Sequence, residues 1–239
     1  MMSRPFHTVL VPGLACSARL YEKLMPYVWE YGAATVADTR RDHSIGGIAE
    51  RLLADAPPRI ALAGISMGGY VALEVMRQAP ERVRGLALIS TSARSDTPEQ
   101  EASRRQQIDL TRAGKFNVLV EAAFPLLVDP DHRDDARLAA FWSEMAHEIG
   151  RDAFCAQLEA VMNRLDSRPF LPTIDCPTSV IHGAGDQLIP ADHAHEMAAG
   201  IPLATLTIIK GGGHMVAQEQ PAAVGKAVDL LLTQITTQL

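Results

Sequence analysis

The chain has 239 residues, 47% of them apolar and 21% charged, with 17 Gly and 15 Pro, a composition that excludes disordered, collagen-like and coiled-coil classes and favours one large domain. Lys and Arg number 22 against 28 Asp and Glu, a formal net charge of −6, so no basic field is available to hold nucleic acid or anionic lipid, and neither is expected as a partner. No stretch approaches the roughly 20 apolar residues of a membrane span. The cysteines Cys16, Cys155 and Cys176 are too widely spaced for a disulfide framework or a zinc knuckle, which leads to the expectation of a reducing, cytoplasmic location.

Short aliphatic and β-branched runs, apolar throughout, occur at residues 6–11, 34–37, 59–63, 86–89, 179–182 and 205–209. Such runs predict strands covered on both faces. They start about 25 to 28 residues apart, the length of a βαβ unit, except for one interval of about 93 between the fourth and fifth. That interval carries helical signals only. A helix over 98–113 opens with Pro98 and closes on Gly114, and two more read over 131–149 and 151–165. Leu138, Phe141, Trp142, Met145 and Ile149 recur at helical spacing and form one stripe, which either packs the insertion onto the main body or lines a pocket.

Alternating strands and helices imply an α/β fold, its mostly parallel central sheet of about six strands covered by helices on both faces. A helical cap over residues 95–168 would be inserted after the fourth strand of a single domain spanning 1–239. In such sheets ligands bind beyond the carboxyl ends of the strands, so the chemistry is sought there.

The third strand runs into Gly64-Ile65-Ser66-Met67-Gly68-Gly69 and then a helix over 67–78 that stops before Pro80. Small residues at 64 and 68 permit a sharp strand-to-helix turn with the Ser66 hydroxyl at its tip, and the strand-turn-helix context raises an otherwise weak pattern to a nucleophile elbow. A serine hydroxyl is inert at neutral pH without a base. Of eight histidines, His214 follows the last strand after Gly211-Gly212-Gly213, a run that lets a loop carry an imidazole across the sheet edge. His193 and His195 stand two apart on a helix and point away from each other, so no metal site is expected. A buried acid should orient the imidazole, and Asp186 follows the fifth strand. The order Ser66, Asp186, His214 is serine, acid, histidine, unlike the orders of the chymotrypsin and subtilisin types.

On these residues the chain resembles the α/β-hydrolase superfamily, in its serine hydrolase branch with a helical cap, over 8–24, 59–90 and 178–221, including the Gly213-His214 to Glu219-Gln220-Pro221 pattern. The resemblance implies Ser66 as nucleophile, His214 as general base and acid, and Asp186 as its partner. It further implies an oxyanion hole from the backbone N–H groups of Met67 and of Leu14 in the loop after the first strand. Where many relatives have His-Gly this chain has Pro12-Gly13, so the usual hydrogen bonds of that loop should be partly missing. The implied activity is hydrolysis of an ester or related acyl bond of a small, mostly apolar molecule through an acyl-enzyme, without cofactor, by a monomer or homodimer. Lactone, thioester and carbon–carbon bond hydrolysis remain open, as does a ligand receptor on a hydrolase scaffold. Phe124, Trp142 and Met145 are the candidate substrate-binding wall.

Overall fold

A computed structural model describes residues 6–237. Six strands, β1 (His7–Val11), β2 (Ala34–Val36), β3 (Ile60–Ile65), β4 (Val83–Ile89), β5 (Thr178–Gly183) and β6 (Ala204–Ile209), form one sheet in the order β2-β1-β3-β4-β5-β6. All five pairings are parallel. The helices in chain order are α1 (Met25–Trp29), α2 (Ile45–Asp55), α3 (Met67–Gln78), α4 (Pro98–Arg112), α5 (Phe116–Leu127), α6 (Ala136–Ile149), α7 (Arg151–Met162), α8 (Ala191–Gly200), α9 (Val216–Glu219) and α10 (Pro221–Thr237).

The two-residue period of the strands divides the core. Val9, Val11, Ile60, Leu62, Leu86, Leu88 and Val180 face the layer of α2, α3 and α8. Leu10, Ala61, Ala63, Ala87, Ile89 and Ile181 face the layer of α1 and α10. The central strands β1, β3, β4 and β5 are thus covered on both faces, as expected of parallel strands. The outermost two are not. In β2 Thr35 is exposed, and in β6 Thr205 and Ile208 are exposed, which corrects the expectation of six fully covered strands. An edge strand has one neighbour and one flank open to water.

Between β4 and β5 the chain departs for residues 90–177, which contain four helices and not three. α4 is held at its start by a capping box between Thr97 and Gln100. α5 was not expected, because Pro125 interrupts its last turn and Lys115 at its start makes no capping bond. Asp135 caps α6, its carboxylate accepting from the Arg137 and Leu138 N–H groups, so that helix begins five residues later than the acidic run at 131 suggested.

Candidate active site

The elbow forms because nothing but hydrogen fits at its two glycines. A Cβ on Gly64 would strike the Gly68 carbonyl, and one on Gly68 would strike the Val11 carbonyl of β1. Ser66 is held between them at φ 55° and ψ −116°, a conformation that costs a non-glycine residue about 1–3 kcal/mol and persists only where its surroundings impose it. Here the Ser66 N–H donates to the Ile89 carbonyl at 3.0 Å, and the Thr91 hydroxyl donates to the Ser66 carbonyl at 2.7 Å. The strained turn is clamped on both of its backbone polar groups, by the end of β4 and by the residues just after it.

The structure brings Ser66, Asp186 and His214 together. Ser66 Oγ lies 2.9 Å from His214 Nε2, and His214 Nδ1 lies 2.8 Å from Asp186 Oδ2. Asp186 is 0% exposed in its side chain. Its Oδ1 accepts from the N–H groups of Leu188 and Ile189 at 2.9 and 3.0 Å. Burial opposes its charge, but the adjacent His214 imidazole, the Ile189 N–H and His182 outweigh it and hold the carboxyl below its ordinary value. An ionised Asp186 accepts from Nδ1–H of His214, which leaves Nε2 as acceptor for the Ser66 hydroxyl. His182, the buried histidine near the end of β5, donates from Nε2 to the Ile189 carbonyl at 2.9 Å and so braces the Asp186 loop.

Glu219 holds the His214 loop. Its buried carboxylate accepts from the Gly213 N–H at 2.8 Å, from the Asp129 N–H at 2.6 Å and from His132 Nδ1 at 2.9 Å. The Met215 N–H donates to the Leu127 carbonyl at the end of α5. Position 214 is therefore fixed from both flanks, one bond reaching the helical segment after β4.

The loop after β1 is also held, by residues the sequence reading did not single out. Ala15, at φ 57°, donates its N–H to Gln157 Oε1 of α7 at 2.8 Å, and the Gln157 amide donates onward to Thr39 Oγ1 at 3.0 Å. Gln157 is 0% exposed. The Tyr21 hydroxyl donates to the Val11 carbonyl at 2.6 Å. These bonds supply what Pro12 cannot. Among the described residues no acceptor meets the N–H of Leu14 or of Met67, and Met67 opens α3, where the helix dipole is positive. Two free donors beside a polarised hydroxyl are able to stabilise an oxyanion.

Ser66 and His214 open into a cavity of about 730 Å³, whose wall includes Leu14, Leu119, Val120, Trp142 and Phe154. Of the three expected wall residues, Trp142 lines it, its Nε1–H donating to the Val120 carbonyl at 2.8 Å. Phe124 and Met145 do not; both are buried in the core that joins α5 and α6 to the body. His193 of α8 also lines the cavity. Cys16 reaches the cavity wall, and burial pushes its thiol up to about 12, so it is no nucleophile. No helix among the described residues is long and apolar enough to cross a membrane.

A family described by the alpha/beta hydrolase fold matches residues 56–221. The Klebsiella pneumoniae protein RutD, named for carbamate hydrolysis, is 29% identical over 188 residues, 77% of this chain and 66% of that protein. A pimeloyl-(acyl-carrier protein) methyl ester esterase of Nitrosomonas europaea is 29% identical over 174 residues, 70% of this chain and 67% of that protein. The matches thus span about two thirds of the length of these relatives. A thermophilic esterase from Thermogutta terrifontis has the same fold, with a TM-score of 0.88 at 24% identity over 97% of this chain and 90% of that one. With six parallel strands, a strained serine after the third and a match running from residue 56 to residue 221, the chain belongs to the α/β hydrolase fold family.

Proposed function

We propose that Ser66, His214 and Asp186 are the catalytic residues of a serine hydrolase that cleaves esters through an acyl-enzyme. The chain is an ester-acting hydrolase in this reading. Ser66 Oγ attacks the substrate carbonyl while His214 Nε2 takes its proton, and the same imidazole returns that proton to the departing alcohol. Water then repeats the sequence on the acyl-enzyme and releases the acid. Asp186 fixes the imidazole tautomer and stabilises the imidazolium. The N–H groups of Leu14 and Met67 take the oxyanion, each such donor being worth about 3–4 kcal/mol in the transition state. The helices α4 to α7 serve as the cap that walls the cavity, with Trp142 and Phe154 against the apolar part of a small acyl substrate. Three buried free cysteines suit a reducing, cytoplasmic setting.

The observation that carries this is the continuous hydrogen-bonded line from Asp186 through His214 to Ser66 at 2.8 and 2.9 Å, begun at a serine in an imposed conformation. The esterase name of one relative supports ester cleavage, and the carbamate hydrolase name of the other supports attack on a carbonyl more broadly. Turnover of a p-nitrophenyl ester tests it: Ser66→Ala should lose on the order of 10⁶ in kcat. Wild-type turnover in that variant would overturn the assignment. Labelling by a fluorophosphonate, abolished in Ser66→Ala, separates a hydrolase from a receptor that binds the ester and leaves it intact.

A further inference from the structure

The cavity above Ser66 has two unlike walls. Its lining holds an apolar group, Leu119, Val120, Trp142 and Phe154, and a polar group drawn from the segment after β4, from α4 and from Arg164 after α7. Gln100, Ser103, Arg104 and Gln107 recur at i, i+3, i+4 and i+7 of α4, so they share one side of the helix. That side is turned into the cavity, where a helix over a purely apolar site would present aliphatic side chains. Charge follows the same division. Arg94, Arg104 and Arg164 line the cavity, and no Asp or Glu among the described residues does, in a chain whose net charge is −6.

Arg94 is matched outside the cavity by Glu196 at 2.9 Å and Asp192 at 3.0 Å. Arg104 and Arg164 instead share one carboxylate. Arg104 Nε donates to Asp96 Oδ2 and Arg164 Nη1 to Asp96 Oδ1, both at 2.6 Å, with the Asp96 side chain fully buried. Two guanidinium groups on one carboxylate leave one positive charge uncompensated at the cavity wall. Arg164 is fixed in place: 6% exposed, it donates from Nε to the Arg94 carbonyl at 3.0 Å and lies 4.2 Å over the Tyr70 ring. Arg104 Nη1, Arg164 Nη2 and the Tyr70 hydroxyl have no partner among the described residues. None of these three atoms is buried out of reach of solvent, and a planar guanidinium fork that solvent reaches suits a carboxylate.

We propose that Arg104 and Arg164 form an anion subsite of the Ser66 cavity, so that its preferred substrates are esters or lactones bearing a free carboxylate. The apolar wall takes the chain between the two functional groups, and the polar wall takes the charged end. This deepens the hydrolase reading and rests on it. A charge-assisted hydrogen bond to such a group corresponds to a preference of about 10- to 100-fold over an uncharged isostere. Binding that is equal in ground and transition states enters through KM.

The test compares kcat/KM within two matched pairs. The p-nitrophenyl hemiester of glutaric acid against p-nitrophenyl valerate places the carboxylate on the acyl side. 4-Acetoxybutyrate against its neutral amide places it on the alcohol side. The expected result is a ratio of about 10 to 100 in at least one pair in the wild-type protein, carried by KM. It should fall toward one in Arg104→Gln and recover in part in Arg104→Lys. Gln107→Glu, which leaves the Arg104–Asp96 pair in place and adds a negative charge one turn away, should lower it as well. Because the readout is a ratio, damage common to both substrates cancels. A wild-type ratio of one or less in both pairs, or a ratio unmoved by Arg104→Gln and Gln107→Glu, overturns the subsite. If Ser66→Ala is inactive on every ester while the wild-type ratio is one, only the subsite has failed. If Ser66→Ala still turns over the neutral esters, the hydrolase reading itself has failed.

Discussion

The ends of β3, β5 and β6 and the helices α4 to α7 contribute to one cavity by opposite means. At the strand ends the backbone dictates the residue. Gly68 abuts the Val11 carbonyl, and Ser66 is held at a positive φ. In the helices the backbone is regular, and residue choice records only what each side chain meets. The strand ends are therefore intolerant of change, while the helical wall is free to accept other side chains.

Substitutions at the two regions should separate accordingly. Asp186→Asn keeps the shape of the strand-end site while reversing the imidazole tautomer, and should cost about 10⁴ in kcat with a nearly unchanged melting temperature. A loss smaller than tenfold would mean that the 2.8 Å bond to His214 is not functional. Gly68→Ala drives a methyl group into β1 and should destabilise the fold by about 3 kcal/mol or more, read by chemical denaturation. A neutral outcome there would show the elbow to be more yielding than the β3–β1 packing implies.

Gln157 is the sharpest probe of the comparison, because it joins the two regions. Gln157→Leu removes the acceptor of the buried Ala15 N–H, a loss of about 1–3 kcal/mol. If that loop positions the Leu14 donor, kcat should fall about tenfold or more with KM little changed, and Gln157→Glu, which keeps an acceptor, should restore part of it. Loss of stability alone, with kcat intact, would make Gln157 a structural tie only.

The smallest effect concerns His132. Its hydrogen bond to Glu219, against the lesser opposing effect of burial, raises its pKa above the ordinary 6.5. The folded state thus favours the protonated ring, so the contact stabilises fully below about pH 6.5 and fades as pH rises through the raised value. A side chain this accessible to water contributes under about 1 kcal/mol. The melting temperature of His132→Gln should fall below that of the wild type at pH 5.5 and approach it at pH 8.

Sequence and structure agree most closely where turn chemistry is restrictive. Ser66, Asp186 and His214 were legible because each follows the end of a strand and stands beside glycines that have few other uses. Periodicity located α6 but could not tell which buried positions face a core and which face a void, so Met145 was grouped with Trp142, and Phe124 was grouped with them as a large apolar side chain of the same insertion. α5 escaped because Pro125 mimics a helix boundary. Gln157 reads as an ordinary surface glutamine of a helix until Ala15, 142 residues away, is placed beside it. Arg104 and Arg164 are likewise separate surface charges in the sequence, united only through Asp96.

The Gln157 bridge also bears on how molecules enter. A swing that carried α7 away from the sheet would strand a buried amide on one side and a buried glutamine on the other, with Thr39 Oγ1 losing its donor as well. Each such opening would forfeit at once the three hydrogen bonds that Gln157 makes with Ala15 and Thr39, whereas exchange with α7 in place forfeits none of them. The Gln157 bridge therefore favours a route to Ser66 that leaves α7 in place.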